Sequence, residues 1–449
     1  VDGGGLMDNV LAARALMGIS LGFHIIYATI GIGLPLMLMI AEGLSLRTGD
    51  ELYHQLARRW IRPAGVLFAI GAVSGTILSF ELGLLWPRFM AFSGPLIGLA
   101  FSIEGFAFFT EAIFLALYIY GEQRLSRRML FFCTIPITAA AAASAVFVIS
   151  ANAWMNTPAG FRLVNGALAD VHPYQALANP AWAHEAVHGT LAAYVATSFA
   201  MAGVYAATLL RGQSSDYNKR ALTLALAVAS VSLPLMLVSG DWSAMTLAVQ
   251  EKPKLAAMET LFTTARGAPL FIGGWPDPAS GKVLYGIRVP KLLSLLAHRD
   301  PDALVEGLDA FPPGAAPDPR LVHPFFDLMV ASFFIMLAAA VWFWWLRWRR
   351  HDVPLGKWPL RALLFSSPFG MIALESGWLV TEFGRQPWIA RGHMRVAEGV
   401  TLQTGIGLVL FTFLVVYLAL TAGLLKLLMR QVRAGKMTET TQGGRHVDS

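Results

Sequence analysis

The sequence has little of what a water-soluble or covalently cross-linked protein needs. Its one cysteine in 449 residues, Cys133, allows no intrachain disulfide, no CxxC redox pair and no cysteine-held iron–sulfur cluster. Charged residues make up 14% of the chain and hydrophobic residues 56%, whereas globular proteins carry roughly 25% charged residues. So few charged residues cannot cover the surface of a water-soluble protein of this length, which excludes soluble enzymes, nucleic-acid modules and disordered scaffolds.

The sequence instead contains long runs of apolar residues. A run of about 20 apolar residues crosses a bilayer as a helix. The sequence therefore predicts an all-α, polytopic integral membrane protein with nine spans, at 18–40, 64–86, 96–120, 129–151, 186–210, 221–240, 325–346, 361–382 and 402–428. The predicted organisation is six helices in 7–240, a loop at 241–323, three helices in 324–428 and a polar tail at 429–449. Proline and glycine in the loop indicate turns with short helices.

Basic residues predict the orientation of the spans. Of the 34 Lys and Arg residues, 20 fall in segments on the same side as the C-terminus. Eight of the other 14 lie in the long loop, and long loops count little in the positive-inside rule. The N-terminus is expected outside and the C-terminus inside. The net charge of +6 thus reflects membrane topology and does not indicate a nucleic-acid partner.

Ionisable residues within the spans are functional candidates, because a charge at mid-bilayer costs on the order of 3 kcal/mol. The candidates are His24, Glu104, Glu111, His184, Glu185, His188, Glu375 and Glu382. Glu104 and Glu111 are seven residues apart, about two helical turns, so they share one helix face. Glu375 and Glu382 share a face for the same reason. Such carboxylates suit a proton relay, a cation site or metal ligation; the alternative is neutral, hydrogen-bonded carboxylic acids.

Histidines within a bilayer need a partner other than water. An isolated histidine such as His24 is often a hydrogen-bonded core residue, but haem iron is another partner. The spacing of His184 and His188 also suits zinc, although no HExxH motif accompanies them. The run GRQPW at 384–388 adds an arginine suited to a carboxylate or propionate. Alternatively, this run is a helix stop with an interfacial tryptophan.

Several segments together resemble the large subunit of bacterial cytochrome bd-type quinol oxidases. They are IEGFAFFTE at 103–111, ANAWMNTP at 151–158, GDWSAMTLAVQEKPKLAAME at 240–259, GWLVTE at 377–382 and GRQPW at 384–388. The resemblance extends from Met7 to about residue 425. It implies a terminal oxidase of a bacterial cytoplasmic membrane that oxidises quinol at the outer face, reduces O2 to water and takes up protons from inside.

The resemblance also implies three haems and their ligands. His188 and Met329 match the axial pair of haem b558, and Glu382 matches the ligand of haem b595. His24 matches the ligand of haem d. A b-type haem at the His24 site is the alternative, because the amino-acid sequence of the loop resembles that of the cyanide-insensitive branch of the family.

Further residues match the family's catalytic and proton-transfer positions. Glu104 matches a carboxylate close to the haem at His24, and Glu111 with Ser144 matches a proton route toward the haem pair. Three others match residues around the haems: Arg14, Trp378 and Arg385.

Lys254 and Glu259 match the family's quinol-site residues, with ubiquinol or menaquinol as substrate. The alternative for both is a solvated amphipathic loop helix. Two positions depart from the family: many relatives carry a basic residue at Asp327 and glutamine at Asn156. The loop also lacks the insertion of the long-loop members.

Partners implied by the resemblance are a second membrane subunit, a small single-helix subunit and the lipid bilayer.

Two other functions fit the intramembrane residues. One is a haem-free proton-coupled transporter, which would be colourless when purified. The other is a cytochrome b that dehydrogenates quinol without reducing O2.

Overall fold

The computed structural model describes residues 3–403 and 405–443, with side chains described for 9–403 and 405–430. The helices in this part are α1 (Gly3–Thr48), α2 (Glu51–Leu85), α3 (Pro87–Gly121), α4 (Arg127–Asn156), α5 (Pro173–Leu177), α6 (Trp182–Leu210), α7 (Asp216–Gln250), α8 (Lys252–Met258), α9 (Leu292–His298), α10 (Pro319–Arg350), α11 (Lys357–Ser366), α12 (Phe369–Arg385), α13 (Val396–Gly399) and α14 (Ile406–Gly443). Nine segments of the described chain are long and apolar enough to cross a membrane, which confirms the predicted spans.

Several predicted boundaries were wrong in detail. The eighth span is two helices, α11 and α12, that meet at Ser367 and Pro368. Proline cannot donate a backbone hydrogen bond and restricts the residue before it, so it favours this break. The ninth helix begins at Ile406, after Gly405 with its positive φ of +88°, and not at 402. This helix continues through most of the predicted tail, to Gly443, while residues 444–449 lie outside the described part.

Ion pairs show which helix ends lie together. Arg127 pairs with Glu51, and Arg220 pairs with Asp50 at 2.8 Å. These pairs join the turns between α1 and α2, α3 and α4, and α6 and α7; we call this the basic end of the bundle.

The opposite end is formed by the longer connections, and we call it the loop end. Two backbone hydrogen bonds join its segments, from Thr401 N to the Leu85 carbonyl at 2.8 Å and from Arg391 N to the Met155 carbonyl at 3.0 Å.

The long loop is shorter and more structured than predicted. Because α7 extends to Gln250 and α10 begins at Pro319, the loop comprises residues 251–318. It holds α8, α9 and six short strands: β3 (Ala265–Arg266), β4 (Leu270–Ile272), β5 (Trp275–Asp277), β6 (Lys282–Leu284), β7 (Ile287–Val289) and β8 (Leu304–Val305). The strands pair antiparallel in nested order, β3 with β8, β4 with β7 and β5 with β6. Strands of two or three residues are too short for the alternation that reveals a strand in sequence.

Two smaller hairpins complete the loop end. They are β1 (Arg162–Val164) with β2 (Ala167–Ala169), and β9 (Trp388–Ala390) with β10 (Met394–Arg395).

Apolar cores flank a more polar layer in the middle of the bundle. The largest core, on the side of the basic end, includes Leu34 of α1 and Leu115 of α3. A second core, on the side of the loop end, includes Leu16 of α1 and Ala100 of α3. Positions between the two cores therefore form a mid-layer, which on these helices contains His24 and Glu104. A third core packs the loop against α10 and α12.

Burial differs strongly among the spans. In the most apolar window of α6, 61% of residues are buried within this chain, against 11% for α2 and for α14. Helix α6 is therefore interior, whereas α2 and α14 present apolar faces that require lipid or another subunit as cover.

Candidate functional site

His24 lies on α1 in the mid-layer and is held by a serine of α2. Its Nδ1 atom lies 3.0 Å from Ser74 Oγ. The Ser74 hydroxyl donates back to the Ile70 carbonyl of its own helix at 2.9 Å. Because that hydroxyl donates its one hydrogen to its own helix in this arrangement, Ser74 Oγ can accept a hydrogen bond from the imidazole Nδ1. The contact engages Nδ1 and leaves Nε2 available as a ligand.

The same arrangement occurs twice on α6 against α7. His188 Nδ1 lies 3.0 Å from Ser239 Oγ, and His184 Nδ1 lies 3.0 Å from Ser243 Oγ. Ser239 donates to the Met236 carbonyl and Ser243 to the Ser239 carbonyl. In both, the serine engages Nδ1, which leaves Nε2 available as a ligand. Nε2 of His184 is fully buried and has no hydrogen-bond partner in the described chain.

Met329 lies on α10 where this helix meets α12. A Cβ atom at Gly377 would come within 3.0 Å of the Met329 sulfur. Only glycine accommodates so close an approach without displacing the thioether. The glycine of GWLVTE therefore leaves the space that the Met329 side chain occupies.

Glu382 on α12 belongs to a hydrogen-bonded chain at the loop end. It accepts a hydrogen bond from Asn152 Nδ2 at 2.8 Å and another from Arg385. Asn156 in turn accepts from Arg385 at 3.4 Å and donates to Glu185 at 2.9 Å. Each Glu382 oxygen keeps a second lone pair, so the carboxylate can still ligate iron. Arg385 is buried, and its Nε has no partner among the described residues.

Glu375 lies about two turns before Glu382 on α12, on the same helix face, as predicted. Its Oε1 is buried and has no hydrogen-bond partner in the described chain, and its Oε2 faces Gly22 of α1. Trp378 is half-buried beside the same glycine. Arg14, in contrast, is exposed. An unpartnered buried carboxyl oxygen is costly, which marks the space around Glu375 as a place for a further group.

The predicted proton-route residues divide into two positions. Ser144 of α4 donates to Glu104 at 2.9 Å. Glu111 is buried two turns along α3, where it lines a small cavity of about 10 Å3 together with apolar side chains. Ser144 thus hydrogen-bonds to Glu104 and not to Glu111.

Lys254 and Glu259 at the loop end are both buried, which excludes the solvated-helix alternative. Lys254 Nζ lies 3.2 Å from Glu251, and Arg391 lies 3.0 Å from the same carboxylate oxygen. Burial favours a higher pKa for Glu251, but the two cations outweigh it and lower this pKa. A Cβ at Gly384 would lie 2.7 Å from the Lys254 side chain, so the glycine of GRQPW admits the lysine against α12.

The pKa of Glu259 is shifted in the opposite direction from that of Glu251. Burial, reinforced by the nearby Asp327 carboxylate, raises the pKa of Glu259 to about 8. Asp327 also lies 3.2 Å from Nε2 of His323, in an ion-pair contact without hydrogen-bond geometry. Nδ1 of His323 lies 2.8 Å from the Met258 carbonyl. Asp327, the residue at which many relatives carry a basic side chain, thus lies between Glu259 and the buried His323.

Three charged residues of this region escaped the sequence interpretation. Glu251 and Arg391 are 140 residues apart in sequence, and nothing in their surroundings marks them as partners. Glu81 lies within the predicted second span and was omitted; it is buried and accepts a hydrogen bond from Ser20 at 2.8 Å. Its position within an apolar run was a signal that could have found it.

Comparison with known proteins identifies the family. The family model described as cytochrome bd terminal oxidase subunit I matches residues 12–436. The chain belongs to this family. It is 36% identical over 438 residues to a Bacillus subtilis (strain 168) protein that carries the provisional name cytochrome bd menaquinol oxidase subunit I, with 96% of this chain and 98% of the relative covered. It is 30% identical to cytochrome bd ubiquinol oxidase subunit 1 of the same strain, with 96% and 94% covered.

The fold of bd oxidase subunit I is confirmed by a solved structure. The bd oxidase from Geobacillus thermodenitrificans matches with a TM-score of 0.90 and 38% identity, over 95% of this chain and 99% of that chain. The predicted family and the predicted helical membrane fold are therefore correct. The chain is a multi-pass membrane protein of a quinol oxidase family whose members use haem.

The side chains of this bd oxidase subunit fit haem. Imidazoles with Nε2 available at His24 and His188, a thioether at Met329 and a carboxylate at Glu382 are the donor types that bind haem iron. The unpartnered Glu375 oxygen and Arg385 Nε are groups that haem-bound ligands or propionates would satisfy. No cluster of three His, Cys, Asp or Glu side chains suited to a bare metal ion occurs among the described residues.

Proposed function

We propose that this chain is the haem-binding subunit of a quinol oxidase in a bacterial cytoplasmic membrane, which oxidises quinol at the loop end and reduces O2 to water in the mid-layer. One observation carries the proposal: α12 and its end join both sites. Gly384 lies against Lys254, while Glu382, two residues earlier on the same helix, accepts a hydrogen bond from Asn152 of α4. A quinol held at the loop would therefore lie next to the haem-binding helices.

The proposed quinol site contains a cation that would stabilise an anion and a carboxyl group that would accept a proton. Lys254, fixed by Glu251, would stabilise the anion that develops as quinol loses a proton. Glu259 would accept that proton when it is ionised, and its raised pKa of about 8 suits a base that works near neutral pH. The named relatives include a menaquinol and a ubiquinol oxidase, so both quinols are candidate substrates.

Four side chains would hold the haems. His188 and Met329 would hold haem b558, and two protein ligands on one haem suit electron transfer without O2 binding. Glu382 would hold haem b595, and His24 would hold haem d or a b-type haem in its place. Bound haem supplies one-electron transfer and O2 reduction. The chain's own contribution is the serine hydrogen bonds that orient the imidazoles. Trp378 and Arg385 would pack around these groups, and Arg14 on α1 would supply a basic residue near them.

Protons for water formation would come from the basic end, which we place inside the cell. Glu111 would pass protons toward Glu104, which Ser144 orients by its hydrogen bond. Because quinol protons leave at the opposite end, turnover separates charge without a pump. Each charge moved across about 100 mV stores roughly 2.3 kcal/mol.

A second membrane subunit is the expected partner, as is usual in this family. The apolar faces of α2, α3 and α14 offer the surface for it and for lipid. A small single-helix subunit would occupy part of the same surface.

One purification tests the function. The complex should be coloured, should consume O2 with a quinol donor, and should show haem bands in a reduced-minus-oxidised spectrum. A colourless preparation would refute the oxidase and favour a proton-coupled transporter. Haem bands that quinol reduces, without O2 uptake, would instead indicate a quinol-dehydrogenating cytochrome b.

A further inference from the structure

Three buried side chains at the basic end form a hydrogen-bonded cluster that none of the roles above includes. They are Glu42 of α1, His54 of α2 and Tyr118 of α3. The Glu42 carboxylate is 0% exposed, lies 3.0 and 3.1 Å from Nδ1 of His54, and accepts a hydrogen bond from the Tyr118 hydroxyl. We call this the Glu42 cluster. A fully buried carboxylate costs several kcal/mol of desolvation, so a cluster of three titratable groups is an expensive way to pack three helices.

The Glu42 cluster lies on the same line as the predicted proton route. Glu104, Glu111 and Tyr118 follow each other at intervals of seven residues on α3. Seven residues are about two turns and roughly 10 Å of helix, so all three project from one face. Tyr118 extends this face by one step toward the basic end.

The space between Glu111 and the Glu42 cluster contains the cavity already described. Besides Glu111, its lining includes Leu38 and Leu115. Leu38 is one turn from Glu42 on α1, and Leu115 is about one turn from Tyr118 on α3. The cavity thus begins at the Glu111 carboxyl group and ends one turn short of the cluster. Ser45, a turn beyond Glu42, has a buried hydroxyl without a partner among the described residues.

The other side of the cluster reaches the surface through His54. This histidine lies in the first turn of α2, and its side chain is 8% exposed whereas that of Glu42 is 0% exposed. The charges that flank this end are Glu122 with its ion-pair partners Arg58 and Arg62. His54 is thus the least buried member of the cluster.

We propose that the Glu42 cluster takes up protons from the solution at the basic end and passes them through the cavity to Glu111. His54 accepts a proton at Nε2 and releases its Nδ1 proton to the Glu42 carboxylate. Glu42 then donates to the Tyr118 oxygen as the phenol hydrogen passes to a water molecule that enters between Tyr118 and the cavity, so the phenol stays neutral throughout. The inference rests on the proposed function, since it supplies the protons consumed there.

The test uses the complete oxidase in lipid vesicles, with three variants, Glu42→Gln, Tyr118→Phe and His54→Ala. Glu51→Gln is the matched control, because Glu51 is an exposed carboxylate at the same end of the bundle. Three rates are measured for each: haem reduction by quinol under anaerobic conditions, O2 uptake, and proton uptake reported by a pH-sensitive dye on the side of the basic end.

We expect Glu42→Gln and Tyr118→Phe to slow O2 uptake and proton uptake together by at least tenfold. Haem reduction by quinol and the haem spectrum should stay as in the unmutated protein. Added imidazole should restore turnover in His54→Ala, an effect that a merely structural histidine would not show.

The outcomes for the inference and for the proposed function are separable. Turnover within twofold of the unmutated rate in Glu42→Gln, with haem content retained, would overturn the inference, as would failure of imidazole to rescue His54→Ala. Absence of quinol-dependent O2 uptake in the unmutated protein would instead refute the proposed function. If Glu42→Gln does not assemble, Tyr118→Phe with imidazole rescue of His54→Ala decides the question.

Discussion

Quinol oxidation should depend on the ionisation of Glu259. With a pKa of about 8, roughly one Glu259 in ten is ionised at pH 7 and roughly nine in ten at pH 9. If the carboxylate is the base that accepts the quinol proton, kcat/KM for quinol should rise about tenfold over this range. Replacement of Asp327 by Asn removes a neighbouring negative charge, so it should move the rise to lower pH.

The assay is O2 uptake by the purified oxidase at several quinol concentrations between pH 6 and 9. Glu259→Gln should lose most of the activity and all of the pH-dependent rise. Glu306→Gln is the matched control, since Glu306 is a partly exposed loop carboxylate paired with Lys252. The reasoning fails if Glu259→Gln keeps the rise with its midpoint near pH 8, because another group would then be the base.

The same pKa makes a stability prediction. Because the folded pKa of Glu259 lies above the ordinary value of 4.5, the fold favours the protonated form. Glu259 should therefore lower the stability of the fold progressively as pH rises from 4.5 to about 8. Thermal unfolding of Glu259→Gln should accordingly depend less on pH over this interval than that of the unmutated protein.

Three further substitutions address the surrounding contacts. Gly384→Ala places a Cβ 2.7 Å from the Lys254 side chain, so it should raise KM for quinol and cost about 1–3 kcal/mol of stability; Gly83→Ala, which meets nothing within 4 Å, should change neither. Glu251→Gln leaves two cations, the buried Lys254 and the half-buried Arg391, poorly compensated and should destabilise the protein by about 3–5 kcal/mol, measured by thermal unfolding; an unchanged unfolding temperature would show that the buried pair is not formed. His188→Ala should remove one low-spin haem signal and abolish haem reduction by quinol, and a full set of haem bands in this variant would contradict its role as a ligand.

Much of the fold was predictable because its signals are local. Each span is a run of apolar residues, and the run alone identifies the helix. The boundaries were less predictable: α7 extends to Gln250 and α10 begins at Pro319, so helical turns reach beyond the apolar stretch. The break at Pro368 was visible in sequence but was outweighed by the continuous hydropathy around it.

The candidate site was predictable only as single residues. The resemblance supplied His24, His188, Met329 and Glu382, but not the serines that orient the imidazoles. Those contacts join different helices, and no spacing along the chain encodes them. For the same reason Glu251 remained unnoticed, although it is the carboxylate that fixes Lys254.

The unequal burial of the spans has a consequence for assembly. The two spans of lowest mean hydropathy are Trp182–Leu210 and Lys357–Arg385, and they carry His188 and Glu382. Their own apolarity contributes least to insertion into the bilayer, so contacts with neighbouring helices and bound haem must hold them there. A chain starved of haem should therefore loosen first at these two helices, and a protease that attacks exposed helices would cut there before it reached the more apolar α7.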